Sequence, residues 1–145
     1  MQTLEIKKIN QNAILPTYST KGSAGADLYA CISKPITLKA GKVISIETGL
    51  AFGIPDGHEV QIRSRSGLAL KDNIFVLNSP GTIDSDYRGE IKVILANFSQ
   101  NDFVINNGAR IAQMVLAPYV QATFSTVEDL DKTERGEGGF GSTGI

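Results

Sequence analysis

The sequence is divided into short apolar segments that are separated by strong turn signals. The segments are enriched in β-branched residues or alternate in polarity, and their lengths suit strands better than helices. The turns contain glycine or asparagine, which accept positive φ, or proline, which fixes its own φ. This pattern predicts an all-β sandwich or barrel. The predicted strands cover residues 4–9, 43–52, 59–63, 74–77, 91–98 and 111–117.

The segment 91–98 is apolar on both faces apart from Lys92 and Asn97. A strand with two apolar faces is buried on both sides. We therefore expect it to be a central strand or a strand that packs against another subunit, and we favour burial in an oligomer.

One short helix is expected where Ser66 precedes the helix formers Leu68, Ala69, Leu70 and Lys71. Serine is a preferred N-cap residue, so the sequence predicts a serine-capped start. The helix should be short because Asp72-Asn73 follows it.

The composition excludes several classes of protein. A chain of 145 residues with 41% hydrophobic residues is expected to form a single domain. A formal charge of −1 gives no positive field to attract a nucleic acid polymer. The only cysteine, Cys31, cannot form an intramolecular disulfide, and no apolar run approaches the roughly 20 residues of a membrane helix. With no signal-peptide pattern at the start, we expect a cytoplasmic protein without a membrane partner.

From Glu128 onward the apolar periodicity is lost and the chain becomes acidic and then glycine-rich. We therefore expect a β domain over residues 1–127 and a mobile C-terminal arm over residues 128–145 that can close over a ligand. The arm contains a G-x-G-x-x-G pattern at Gly136, Gly138 and Gly141, but it lacks the strand and helix of a dinucleotide-binding fold. A plain flexible terminus is the alternative. Against it, the glycine amides and hydroxyls can donate to phosphate oxygens, and Phe140 can stack on a base.

Residues 81–90 place three acidic side chains, an arginine and an aromatic ring between two predicted strands. An ordinary hairpin loop would explain them. However, Ile83 should attach the loop to the core and hold Asp84 still. A fixed carboxylate can orient and deprotonate a water molecule beside a phosphorus atom.

Further polar residues are ambiguous when they are taken singly. Arg65 and Ser66, at the predicted helix start, can form an anion site or a simple cap. Asp27 and Gln113 have structural explanations of their own. His58 is the only histidine and follows a turn, so we exclude Ser-His-Asp and Cys-His catalysis, and no P-loop motif is present.

Taken in order, five of these stretches resemble the motifs of the homotrimeric dUTPase family over essentially the whole chain. The stretches are Ala24-Gly25-Ala26-Asp27-Leu28, Arg65-Ser66-Gly67-Leu68-Ala69, Gly81-Thr82-Ile83-Asp84-Ser85-Asp86-Tyr87-Arg88-Gly89, Arg110-Ile111-Ala112-Gln113-Met114 and Arg135-Gly136-Glu137-Gly138-Gly139-Phe140-Gly141-Ser142-Thr143-Gly144. One departure is Ser64, which stands where proline or glycine is common in the family.

The resemblance implies a jelly-roll β-fold, a homotrimer with active sites shared between subunits, and an arm that closes over bound nucleotide. It implies hydrolysis of dUTP to dUMP and pyrophosphate with Mg²⁺, which limits uracil incorporation into DNA and supplies dUMP for dTMP synthesis. The metal would be held mostly by triphosphate oxygens, as suits a cation that keeps several waters.

The same resemblance implies roles for individual residues. Asp84 is similar to the carboxylate that activates water, Tyr87 to the ring against deoxyribose, and Asp27 to the residue that contacts a water on magnesium. The hairpin that reads uracil would comprise Asn78, Gly81, Thr82 and Ile83. Phosphate ligands would include Arg65, Ser66, Gly67 and Gln113. The arm would bind the γ-phosphate and cover the base through Arg135, Gly139, Phe140, Gly141, Ser142 and Thr143.

Three other functions stay open at the level of sequence. The related dCTP deaminase family shares the fold but converts cytosine to uracil, and the Asp84 loop and the arm favour hydrolysis over it. A nucleotide-sensing module would keep the pocket and signal to a protein partner. A purely structural jelly roll would not need Arg65, Asp84 and Arg135 together.

Overall fold

The computed structural model describes residues 1–144. These residues form eleven strands and one helix, and every strand pair is antiparallel. In chain order the elements are β1 (Glu5–Lys8), β2 (Thr17–Tyr18), β3 (Ala26–Tyr29), β4 (Ile36–Leu38), β5 (Val43–Gly53), β6 (His58–Arg63), α1 (Ser66–Asp72), β7 (Ile74–Val76), β8 (Gly81–Ile83), β9 (Glu90–Asn97), β10 (Phe103–Ile105) and β11 (Arg110–Pro118).

The strands form two large sheets and one small sheet. One sheet has the order β1-β5-β9-β7, and the second has the order β2-β3-β11-β6-β8. Strands β10 and β4 form a two-stranded sheet. The predicted all-β jelly roll with one short helix is confirmed.

Side chains from both large sheets form a single buried cluster. Leu28 and Met114 come from the five-stranded sheet, and Ile46 and Val93 come from the four-stranded sheet. Each of these side chains is no more than 3% exposed. Burial of a side chain of this size contributes about 1.5–3 kcal/mol, so this core fixes the sheets that carry the polar residues.

The six predicted strands are all present, and each end lies within one residue of its predicted position. Five further strands were not predicted from the sequence: β2, β3, β4, β8 and β10. Each is only two to four residues long. Such segments carry little periodicity of their own, and they are stabilised by pairing with strands that are distant in the chain.

Strand β9 lies between β5 and β7, so the first of the two alternatives, a central strand, is confirmed. Its inward side chains Ile91, Val93 and Leu95 are fully buried. On the other face Lys92 is exposed and Ile94 is half-buried. Burial of that face in an oligomer remains a prediction.

The serine cap predicted for helix α1 is wrong. Arg65 is the N-cap residue, its backbone is extended with φ −90° and ψ 130°, and no side chain caps the helix. Ser66 is instead the first helical residue, and the Oγ of Ser64 accepts a hydrogen bond from the Val76 amide at 2.9 Å. The helix ends as expected, because Asn73 takes a left-handed conformation and donates its N–H to Leu68 O.

Within residues 1–144, no helix has the length and apolar character needed to cross a membrane.

Candidate active site

Asp84 directly follows the last residue of β8, at the edge of the five-stranded sheet. β8 pairs with β6, and Ile83 lies opposite Val60. Ile83 packs against the core, as the sequence predicted, while Asp84 is exposed. The strand therefore anchors the carboxylate at its base and leaves it open to solvent.

The residues after Asp84 form a turn that is braced by its own hydrogen bonds. The amide of Tyr87 donates to Asp84 O at 3.1 Å. Nη1 of Arg88 donates to Ser85 O at 2.6 Å and to Tyr87 O at 3.1 Å. The Tyr87 hydroxyl donates to Glu90 O at 3.0 Å. The Tyr87 ring is thus held at a fixed place beside Asp84.

Asp84 lines two hollows in the surface of the chain. The smaller has a volume of about 250 Å³ and brings Thr82, Ile83 and Asp84 together with Tyr87. The larger, a cleft of about 520 Å³, also contains Thr82 and Asp84. A ligand in the smaller hollow would therefore meet an aromatic ring and a carboxylate at the same time.

The segment between β7 and β8 places Asn78 against Gly81, and it is not a hairpin, because β7 pairs with β9 in one sheet and β8 pairs with β6 in the other. A Cβ built on Gly81 would lie 3.1 Å from Asn78 Nδ2 and 3.3 Å from Ile62 Cβ, so the segment is closely packed there. The Ser79 hydroxyl donates to Val76 O, and the Ser79-Pro80 peptide bond is cis. The structure brings the predicted hairpin residues together with Asp84 and Tyr87, and we call Asn78, Gly81, Thr82, Ile83, Asp84 and Tyr87 the β8 group.

A second set of predicted residues surrounds Asp27 on β3. Nε of Arg65 donates to Asp27 Oδ1 at 3.0 Å, and Nη1 of Arg110 lies 3.6 Å from Asp27 Oδ2. The Asp27 side chain is only 13% exposed. Two cations therefore flank one largely buried carboxylate, and Arg65 lies at the start of α1.

Gln113, on β11, belongs to this second set because it lies opposite Asp27 in the sheet. Its Nε2 donates to Ser64 O at 2.9 Å. A Cβ on Gly25 would lie 2.9 Å from Gln113 Cδ, so the absence of a side chain at Gly25 leaves room for the amide. We call Asp27, Arg65, Ser66, Gly67 and Gln113 the Asp27 group.

Within one chain Asp84 of the β8 group lies far from Gln113 of the Asp27 group. Gln113 lies opposite Arg63 on β6, whereas Ile83 lies opposite Val60 on the same strand. Asp84 is therefore level with a position on β6 that lies four residues from Arg63. In addition, β8 and β11 are two strand spacings apart, because β6 lies between them. With residues about 3.3 Å apart and strands about 4.8 Å apart, the two backbone positions are roughly 16 Å apart. Asp84 and Gln113 of one chain therefore do not contact the same phosphate.

The C-terminal residues form neither helix nor strand between residues 119 and 144. Nε of Arg135 donates to Gly138 O at 2.7 Å, and the Gly136 amide donates to Thr133 Oγ1 at 3.0 Å. Phe140 is fully exposed. The described part of the arm makes no hydrogen bond to either group of its own chain, and the last residue of the predicted arm, Ile145, lies outside the described residues.

Clusters of three or more His, Cys, Asp or Glu side chains that could hold a metal are absent from residues 1–144. The carboxylate of Asp27 is engaged by two arginines. This donor set fits a metal whose ligands come mostly from a bound polyphosphate and its waters, with contact to Asp27 through water.

Two residues near these groups were not predicted as site residues. Arg110 contacts Asp27, although the two are far apart in sequence. Glu90 lines the smaller hollow, and its Oε2 is buried without a hydrogen-bond partner among the described residues. Arg110 stands inside one of the five motifs, and Glu90 is one of the three acidic residues of the stretch 81–90. Both therefore carried a sequence signal, but their surroundings follow only from strand pairing.

Comparison with known proteins gives a consistent result. Residues 11–144 match the family model described as dUTPase. A deoxyuridine 5'-triphosphate nucleotidohydrolase of Nautilia profundicola is 59% identical over 141 residues, covering 97% of this chain and 98% of the relative. A protein of the same name from Orientia tsutsugamushi (strain Ikeda) is 54% identical over 145 residues, covering 98% of both chains.

Solved structures of dUTPases have a fold similar to that of this chain. A mutant dUTPase of Staphylococcus bacteriophage 80alpha with bound dUpNHpp aligns with a TM-score of 0.87 and 26% identity, covering all of both chains. Another mutant of the 80alpha phage dUTPase aligns with a TM-score of 0.87 and 28% identity over 97% of this chain and 98% of the other.

Proposed function

This chain belongs to the dUTPase family, and from that premise we propose that it hydrolyses dUTP to dUMP and pyrophosphate. The observation that carries the proposal is the placement of Asp84 beside Tyr87 in one hollow, with a braced turn holding both. By removing dUTP and forming dUMP, the enzyme would limit uracil incorporation into DNA and supply the precursor of dTMP.

In the proposed mechanism, Asp84 accepts a proton from a water molecule as the water oxygen attacks the α-phosphorus. The new bond joins the water oxygen to phosphorus, and the bond from the α-phosphorus to the oxygen that bridges to the β-phosphorus breaks. Pyrophosphate leaves with the electron pair of that bond. The exposure of Asp84 directly after a short, paired strand supports this role, because a general base must reach water while its backbone stays fixed.

Charge neutralisation falls to Arg65 and the other donors of the Asp27 group. Guanidinium groups suit phosphate oxygens because they donate several parallel hydrogen bonds. Gln113 and the start of α1, at Ser66 and Gly67, would supply further donors. When bound, Mg²⁺ would neutralise triphosphate charge that otherwise repels the nucleophile, and Asp27 would contact it through a water.

We assign the working form as a homotrimer in which the β8 group of one subunit faces the Asp27 group of another. The separation of roughly 16 Å between Asp84 and Gln113 within one chain supports this assignment, because the two side chains of one chain cannot contact the same phosphate. Val120 and Phe124, just after β11, are 97% and 98% exposed, which also favours contact with another subunit.

The arm would provide the last part of the site. Arg135, Ser142 and Thr143 carry donors for the γ-phosphate, and Phe140 is free to stack on the base. Gly139 and Gly141 would let the backbone approach the phosphates closely. Because residues 128–144 of the arm make no hydrogen bond to either group of their own chain, we assign the arm to a site on the trimer that it closes when nucleotide binds.

Selection of the nucleoside would depend on the β8 group. The backbone of residues 78–83 would pair with uracil and leave no room for the thymine methyl. The Tyr87 ring would pack against deoxyribose, so that a 2′-hydroxyl would clash.

The decisive experiment measures pyrophosphate release from dUTP, UTP, dCTP and dTTP, with and without Mg²⁺. We expect rapid, Mg²⁺-dependent release from dUTP alone. Release from dCTP accompanied by ammonia would instead support the deaminase alternative. Binding of dUTP without turnover would support a sensing module.

A further inference from the structure

Gly89 lies directly against the ring of Tyr87. A Cβ built on Gly89 would lie 2.6 Å from Tyr87 Cζ and 3.0 Å from Cε2, and the hydroxyl oxygen would be closer still. Ordinary van der Waals contact begins at 3.4 Å, so even one methyl group would displace the ring by about 1 Å.

The backbone conformation does not explain why this residue is glycine. Gly89 is not among the residues with positive φ, so alanine can adopt its backbone conformation. What the position requires is space for the aromatic ring.

The Tyr87 ring is fixed at the same place by its hydroxyl, which donates to Glu90 O at 3.0 Å. The contact with Gly89 and this hydrogen bond together keep the ring packed against residues 89 and 90. The ring also lines the hollow that contains Asp84 and Thr82. Residue 89 therefore sets how far the ring projects into that hollow.

We propose that Gly89 is a positioning residue that sets the discrimination between deoxyribose and ribose through Tyr87. The inference rests on the proposed function, in which this ring packs against the sugar. A ring displaced from Gly89 loses its hydrogen bond to Glu90 O and is no longer fixed in position. Such a ring packs less well against deoxyribose and no longer excludes a 2′-hydroxyl.

The test compares four proteins: wild type, Gly89→Ala, Tyr87→Ala and the double variant. The readout is kcat and KM for dUTP and for UTP. We expect Gly89→Ala to lower the preference for dUTP over UTP by about tenfold, mainly by raising KM for dUTP, because Asp84 is untouched. Gly22→Ala is the matched control, since a Cβ there meets nothing within 4 Å and its φ is not positive.

The double variant separates positioning from general damage. Once the ring is gone, alanine at residue 89 has nothing to displace, so it should change neither constant further. An unchanged preference in Gly89→Ala would overturn the inference, and so would an equal loss in both backgrounds. If Gly89→Ala fails to fold, the double variant should fold, because the clash is removed. Failure of both would show that the backbone itself needs glycine and would refute the proposal.

The design also separates this inference from the proposed function. If wild type prefers dUTP and Gly89→Ala keeps that preference, only the role of Gly89 fails. If wild type hydrolyses dUTP and UTP equally, the role of Tyr87 fails and the inference about Gly89 fails with it.

Discussion

Arg65 donates a hydrogen bond from Nε to Asp27 Oδ1 at 3.0 Å, and the two residues are 38 positions apart in the chain. Arg110 approaches the other oxygen of the same carboxylate. Asp27 thus balances two cations at the place where we expect phosphate to bind. Its substitution tests both the stability of the fold and the proposed contact with Mg²⁺.

We predict that Asp27→Asn lowers the free energy of unfolding by about 1–2 kcal/mol, because a charge-assisted hydrogen bond becomes a neutral one. We also predict a higher Mg²⁺ concentration for half-maximal activity. Urea unfolding at one fixed protein concentration and Mg²⁺ titrations would measure the two effects. Asp56→Asn, in an exposed turn, is the matched control. Unchanged Mg²⁺ dependence would remove Asp27 from the metal site.

Asp84→Asn should bind dUTP normally but lose at least about a hundredfold in kcat, since an amide cannot accept the proton of the attacking water. Calorimetry with a non-hydrolysable dUTP analogue would measure binding, and pyrophosphate release would measure kcat. Asp56→Asn again serves as the control for an acid-to-amide change at the surface. Near-normal turnover in Asp84→Asn would refute the assignment of the base.

Removal of the residues after Glu134 should leave a folded trimer with little activity. The described part of the arm, residues 128–144, contributes no strand to any sheet, yet it carries Arg135 and Phe140. Light scattering after size-exclusion chromatography would give the mass, and pyrophosphate release the activity. Phe140→Ala keeps the arm at full length and should lose part of the activity. Dissociation of the truncated protein into monomers would contradict the prediction.

The buried thiol of Cys31 should make the free energy of unfolding depend on pH. Burial raises the pKa of this thiol above its ordinary value, and the carboxylates of Glu90 and Glu47 raise it further. As pH rises, the thiol therefore ionises in the unfolded chain before it ionises in the folded protein. The stabilisation is complete below the ordinary thiol pKa of about 8.5 and is lost as pH rises through the folded value.

Urea unfolding of wild type and Cys31→Ala on both sides of this range would measure the effect. Wild type should lose more stability with rising pH than the variant does. Parallel pH dependence in the two proteins would show that Cys31 does not contribute.

Much of the fold could be predicted because its longer strands carry their own signal. Strands β5, β9 and β11 alternate or are continuously apolar, so their positions follow from local sequence. Strand β3 was missed because four residues that include Asp27 give no reliable period. The prediction of a serine cap at Ser66 was wrong because Arg65, which is not a preferred N-cap residue, occupies the N-cap position.

The sequence by itself determined that the chain is built from short strands in a sandwich or barrel, that it resembles one family through five ordered motifs, and that Asp84 is the candidate base. These properties depend on residue types and short spacings, which a linear chain displays directly. Only the tertiary structure decided that Arg65 contacts Asp27, that Gly89 lies against the ring of Tyr87, and that Asp84 and Gln113 of one chain lie far apart. Distances of that kind depend on which strands pair and in which register, and the free energy that selects the pairing comes from the whole buried core rather than from any local segment.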